Sequence, residues 1–191
     1  MKAPGGMTTD EEPCVAGALA SSLHAVVSEL AGKSTVDAAL ARVPRDVRED
    51  FVSVTPLGWV RITSFERVFS EIAQDLGRST RDLHTEVARV SIERTFRTMW
   101  RVLLRLTTDN ALISRTPVIF ARSYDRGRLR ANIPVPGRGE ITLEGWPDAP
   151  AWPIRATRIG VETVLRIAGR KDVRVSAERV TDGAIFLATW R

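Results

Sequence analysis

The chain has 191 residues, 43% of them hydrophobic, with a net charge of +5 and a single cysteine, Cys14. That length can bury a core without covalent staples, and one cysteine excludes an internal disulfide framework and any cysteine-built metal cluster. The charge does not amount to a nucleic-acid footprint: of 28 basic residues only Lys2, Lys33 and Lys171 are lysines, and the arginines run from Arg42 to Arg191 with acids interleaved.

In chain order, Met1 to Pro13 mix Gly, Pro, Thr and the acidic run Asp10-Glu11-Glu12 without periodicity, which predicts a disordered tail ahead of one domain over residues 14–191. Val15, Leu19, Leu23, Val26 and Leu30 recur at helical spacing up to Gly32. Ser34 with Asp37 resembles a capping box for a short helix that Pro44 closes, and Arg45 to Phe51 reads as a second. After an irregular connector, Val52 to Ile62, the pair Thr63/Glu66 predicts the start of a helix whose face is Phe65, Val68, Phe69, Ile72 and Leu76. Ser79 with Asp82 opens a long helical stretch through Leu83, Val87, Ile92, Phe96, Trp100 and Leu103. Thr108 caps a last short helix, and Pro117 ends the helical half, residues 14–116.

The second half, residues 117–191, reads as strands. Val118 to Tyr124, Arg128 to Ile133 and Glu140 to Leu143 form a predicted meander around the turn Asp125-Arg126-Gly127 and the loop Pro134 to Gly139. An amphipathic helix then starts near Pro153 and ends at Ala168, with Gly169 placed for a left-handed cap. A closing hairpin follows, and its last strand, Ala184 to Trp190, is apolar on nearly both faces and so predicted to be interior. The expected fold is α+β: a helical N-terminal half on a twisted antiparallel sheet of about five strands, ordered β-β-β-α-β-β.

Two constellations carry candidate chemistry. Phe65, Phe69, Phe96, Trp100, Trp146 and Trp152 either pack a core or line an apolar ligand pocket. Arg94, Arg97, Arg101 and Arg105, spaced by three, four and four, share a helical stripe that is either a solvated face or a site for an anion or acidic partner. The two histidines, His24 and His84, are 60 positions apart and belong to no ligand cluster, so neither a metal nor catalytic machinery is indicated. No apolar run approaches the roughly 20 residues of a membrane span, and no apolar signal region follows Met1-Lys2-Ala3-Pro4-Gly5-Gly6, which predicts a cytoplasmic protein.

Ser114-Arg115-Thr116-Pro117, Tyr124 with Arg126-Gly127, Gly145-Trp146-Pro147-Asp148, Gly160-Val161-Glu162-Thr163-Val164-Leu165 and the run from Gly169 to Val175 resemble an uncharacterised paralogous family expanded in myxobacteria, over residues 14–191. In architecture that family is similar to the superfamily of haem-nitric-oxide-binding domains, vinyl-reductase-associated four-helix sensor domains and certain subunits of vesicle-tethering complexes. The resemblance implies helices first, then an antiparallel sheet with one inserted helix. Haem-binding members carry a proximal histidine and a Tyr-x-Ser-x-Arg motif leading into the last helix. Here that place reads Leu143-Glu144-Gly145-Trp146-Pro147-Asp148, which counts against haem. The tethering branch can hold an acyl chain on a buried cysteine, whereas Cys14 borders the tail. The leading expectation is therefore a non-enzymatic adaptor without cofactors, working in signalling or protein assembly through a protein-protein surface and self-associating through the faces Val15 to Leu30 and Phe65 to Leu76. The alternative is a small-molecule sensor with an apolar ligand held between helices and sheet, gated by the loop from Gly145 to Trp152.

Overall fold

The computed structural model describes residues 12–96 and 104–191. The tail before Glu12 and the predicted positions Arg97, Trp100, Arg101 and Leu103 lie outside the described residues.

Up to residue 96 the apolar periodicity forms α1 (Gly17–Ala31), α2 (Lys33–Arg42), α3 (Arg45–Val52), α4 (Ile62–Asp75) and α5 (Thr80–Thr95). The Ser79 cap forms as predicted, its hydroxyl accepting the Asp82 N–H at 3.1 Å and donating to the Asp82 carboxylate at 2.7 Å. The other two capping boxes do not form. Gly32, at φ 80°, ends α1 and starts α2 at once, which places Ser34 inside the first turn. Helix α4 begins directly from an extended segment, where the Ile62 N–H is satisfied by the Pro13 carbonyl at 2.9 Å, and the Thr63 hydroxyl turns to the Glu12 carboxylate instead.

That extended segment is β2 (Trp59–Arg61), which pairs antiparallel with β1 (Cys14–Ala16), three residues predicted to be helical. The ribbon closes against Gly17, whose N–H donates to the Gly58 carbonyl at 2.7 Å. A Cβ on Gly17 would stand 1.8 Å from the Thr55 carbonyl oxygen, so only glycine allows this approach. Arg61 fastens the ribbon to α3 through Asp50 at 2.5 Å and Asp46 at 2.9 Å.

From residue 104 onward come α6 (Asp109–Ile113), α7 (Thr116–Ser123), β3 (Arg128–Val135), β4 (Arg138–Glu144), α8 (Ala151–Ile167), β5 (Arg174–Val180) and β6 (Gly183–Thr189). The run Val118 to Tyr124, predicted as a strand, is helical over Thr116–Ser123: Pro117 falls in the first turn, where its missing N–H costs nothing. Among the described residues the main sheet accordingly has four strands, antiparallel in the order β3-β4-β6-β5, with β6 interior as its composition required. Helix α8 ends where Gly169 takes φ 88°, with the Arg170 N–H returning to the Leu165 carbonyl at 3.1 Å. The architecture is thus α+β, with a helical first half, an antiparallel sheet and one helix inserted between β4 and β5. One apolar core joins the inner faces of α1, α4 and α8 to Ile141, Leu143 and Phe186 of the sheet. No described helix is long and apolar enough to cross a membrane.

Candidate ligand-binding site

Where α1, α5, α7 and α8 converge on β3, their apolar side chains do not fill the space. They leave a cavity of about 180 Å³, reached by Leu23 of α1, Ala88 and Ile92 of α5, Phe120 of α7, Leu129 of β3 and Trp152 of α8. A cavity of this order suits a single-ring guest, since an engineered apolar cavity of about 150 Å³ takes up benzene. No charged side chain and no His, Cys or Met belongs to the described lining; its polar groups are the hydroxyls of Ser91, Thr116, Ser123, Tyr124 and Thr157 and the indole N–H of Trp152. Two of these are engaged elsewhere: the Ser91 hydroxyl shares a 2.6 Å hydrogen bond with that of Ser22, and the Ser123 hydroxyl donates to the Ile119 carbonyl at 2.9 Å. Tyr124 is 6% exposed, and burial raises its phenol above the ordinary tyrosine value, so it stays protonated.

Gly160 contributes space. It lies inside α8 in ordinary helical backbone, and a Cβ there would meet nothing nearer than Ile92 Cδ1 at 3.9 Å. Neither backbone geometry nor close packing therefore calls for glycine at a position where alanine would favour the helix by about 0.5–1 kcal/mol. What its missing side chain leaves open is the cavity.

Behind the cavity stands an aromatic wall. The Trp152 ring lies parallel to Phe65, centroids 5.8 Å apart, and His84 packs between Trp152 and Phe69 at 5.7 and 4.6 Å. Burial first, then the charge of Arg155, lowers the His84 pKa to about 3, so the imidazole is neutral and its Nδ1 can accept from Arg155 Nη1 at 3.4 Å. Glu66 lies in the same neighbourhood, its carboxyl raised by burial against the opposing charge of Arg155. His84 is thus a packed core group and His24 rests on Phe51 at 4.6 Å; among the described residues no cluster of metal ligands exists.

Of the aromatic candidates, Phe96 and Trp152 line the cavity, while Phe65 and Phe69 stand behind Trp152 and Trp146 packs on Tyr124 at 6.2 Å. Trp100 is outside the described residues. The arginine candidates are not brought together: Arg94 makes a two-pronged contact with Glu29 at 2.8 and 2.6 Å, Arg105 borders a separate polar cleft near Trp190, and Arg97 and Arg101 are outside the described residues. The loop expected to gate the pocket is held at its start, where Asp182 accepts the Gly145 N–H on its carboxylate at 2.9 Å and the Trp146 N–H on its carbonyl at 3.1 Å. Cys14 lies in β1, its thiol pushed up to about 11 by burial and by Asp125, which removes nucleophilic character. Sequence reasoning did not assign Leu23, Ile92, Tyr124 or Gly160 to the site. Gly160 carried the one readable signal, a glycine inside an amphipathic helix with no turn to make.

No family model and no curated protein matches the chain. The fold is shared with H-NOX domains. An Fe(II) unliganded H-NOX protein from K. algicida superposes with a TM-score of 0.65 at 10% identity, covering 92% of this chain and 96% of that one. An oxygen-binding H-NOX domain related to soluble guanylate cyclases gives 0.63 at 13% identity, covering 92% and 94%. A structure from work on haem redox potential and porphyrin distortion gives 0.64 at 14% identity, covering 91% and 99%.

These likenesses correct the leading functional expectation. The frame is the one seen in the H-NOX structures, one of which is described as an oxygen-binding domain, and not one drawn from an adaptor. The apolar faces assigned to self-association are also spent internally: Val26, Phe65, Val68, Phe69 and Ile72 are each 0–1% exposed. The expectation that haem is disfavoured is corrected as well, since the structures that share this frame include one described by its haem. The described cavity itself does not fit a haem. Its one side chain of a type that ligates haem iron is the neutral phenol of Tyr124. It offers no cation for propionates, since Arg126, whose Nε and Nη2 are buried without partners, is not part of the described lining.

Proposed function

We propose that this chain is a small-molecule sensor domain whose ligand occupies the apolar cavity between the N-terminal helices and the α8 side of the sheet. The observation that carries this is the cavity with Gly160 in its wall, an opening maintained at a cost in helix stability. The H-NOX neighbours support it in kind, since their descriptions speak of oxygen binding and of haem. Within this reading Phe96 and Trp152 touch the ligand, and Phe65, Phe69 and His84 receive the displacement of Trp152, which joins the cavity to α4 and α5.

The test is a thermal-shift panel of single-ring aromatic compounds on the wild type, Gly160→Ala and Gly160→Leu. Binding to the native state raises the melting temperature by mass action. The proposal expects shifts in the wild type, smaller ones in Gly160→Ala and none in Gly160→Leu. Equal shifts in all three proteins, or none in any, contradict it; Gly160→Ala keeps the test decisive should the leucine variant fail to fold.

A further inference from the structure

Resting on the cavity reading above, we infer that Tyr124 is the specificity-determining contact of the site, and that the ligand is a neutral, single-ring organic molecule carrying one hydrogen-bond acceptor. The first half of the inference comes from tracing every described hydroxyl in the lining. Ser91 and Ser123 are already engaged by Ser22 and Ile119, and Thr116 and Thr157 are less buried than Tyr124. Tyr124 alone combines deep burial with a phenol that has no hydrogen-bond partner among the described residues. The residue also lines the cavity. Buried polar groups find partners, and one left bare beside a cavity is a handle for what enters.

The chemistry of that partner follows from the surroundings. A charged ligand would be desolvated among Leu23, Ile92, Phe120 and Leu129 with no counter-charge among the described lining residues, which counts against carboxylates and amines. The volume limits the guest to about one ring with a short substituent. Burial keeps the phenol protonated, so it donates, and the ligand must accept. Ring contacts hold the donor in place, since Tyr124 packs on Phe120 at 4.9 Å and on Trp146 at 6.2 Å, and its backbone bridges to Val15. An aryl ketone or aldehyde meets all of these conditions.

Acetophenone and α-methylstyrene provide the test, because they share shape and differ in whether a carbonyl oxygen or a methylene stands at the acceptor position. NMR titration of both into the wild type and Tyr124→Phe gives four affinities. The inference expects Tyr124→Phe to weaken acetophenone about five- to tenfold while leaving α-methylstyrene unchanged. Equal weakening of both ligands, or no change in either, overturns the assignment of Tyr124 and leaves the cavity reading standing. Binding of neither compound to the wild type overturns the cavity reading and this inference together.

Discussion

Gly17 and Gly160 should respond oppositely to an added methyl group. At Gly17 the new Cβ would meet a backbone oxygen at 1.8 Å, so Gly17→Ala must push β1 away from residues 55–58 and is expected to cost about 2–3 kcal/mol in urea unfolding. At Gly160 the methyl enters open space, and Gly160→Ala is expected to stabilise by about 0.5–1 kcal/mol while shrinking the cavity. His84 makes a pH prediction of definite sign. Its folded pKa of about 3 lies below the unfolded 6.5, so below pH 6.5 the unfolded chain binds a proton that the folded chain refuses. Stability therefore falls as pH drops from about 6.5 toward 3, by about 2 kcal/mol from this residue between pH 7 and pH 5. His24, also lowered by burial, acts in the same direction. Glu66, raised by burial, acts in the opposite direction nearer the carboxylate range. His84→Gln should shrink the difference between urea midpoints at pH 7 and pH 5, and an unchanged difference would show that another group supplies it.

Among the elements, α8 and the β5-β6 hairpin were readable because each carries its own punctuation. The apolar stripe of α8 stops at a glycine that takes φ 88°, and β6 is a central strand with a neighbour on each edge, burying Ala184, Phe186 and Ala188 on one face while Ile185 and Leu187 are 37% and 39% exposed on the other. Helix α7 was misread for an equally local reason. Val118, Ile119 and Phe120 have strand propensity, but Val118 and Ile119 are 54% exposed while Phe120 is 4%, so tertiary packing of one aromatic decided the conformation. The short β1 strand was missed because its pairing partner β2 lies 45 residues further on, a contact that periodicity cannot report. A prediction at this scale concerns Arg170, which joins the end of α8 to the start of α6. It binds the Asp109 carboxylate at 2.8 Å and the carbonyls of Ala168 and Thr107 at 2.8 and 2.7 Å, while Trp190 Nε1 takes the other Asp109 oxygen at 3.0 Å. Arg170→Ala leaves these acceptors without their donor and is expected to cost about 2 kcal/mol in urea unfolding. Arg170→Lys should recover little of it, because one ammonium cannot span the three directions the guanidinium serves.

Across the whole molecule, a shell of helices and a four-stranded sheet enclose an apolar interior that is filled around Phe65 and Phe186 and open around Gly160. The sequence carried the α+β class and the inserted helix in its periodicities. It also offered Phe96 and Trp152, which the fold places on the cavity. It could not show the cavity itself, because a void is set by how faces from α1, α5, α7 and α8 meet rather than by any one of their patterns. Nor could it show that the helical faces offered for association would be consumed by their own core. The most direct measurement is a crystal structure of the wild type and of Gly160→Leu under xenon pressure, since xenon enters apolar cavities without needing a particular ligand. The account predicts xenon density between α5, α7 and α8 in the wild type and its loss in Gly160→Leu. A wild-type crystal with side chains closed over that space and no xenon in it would contradict the account.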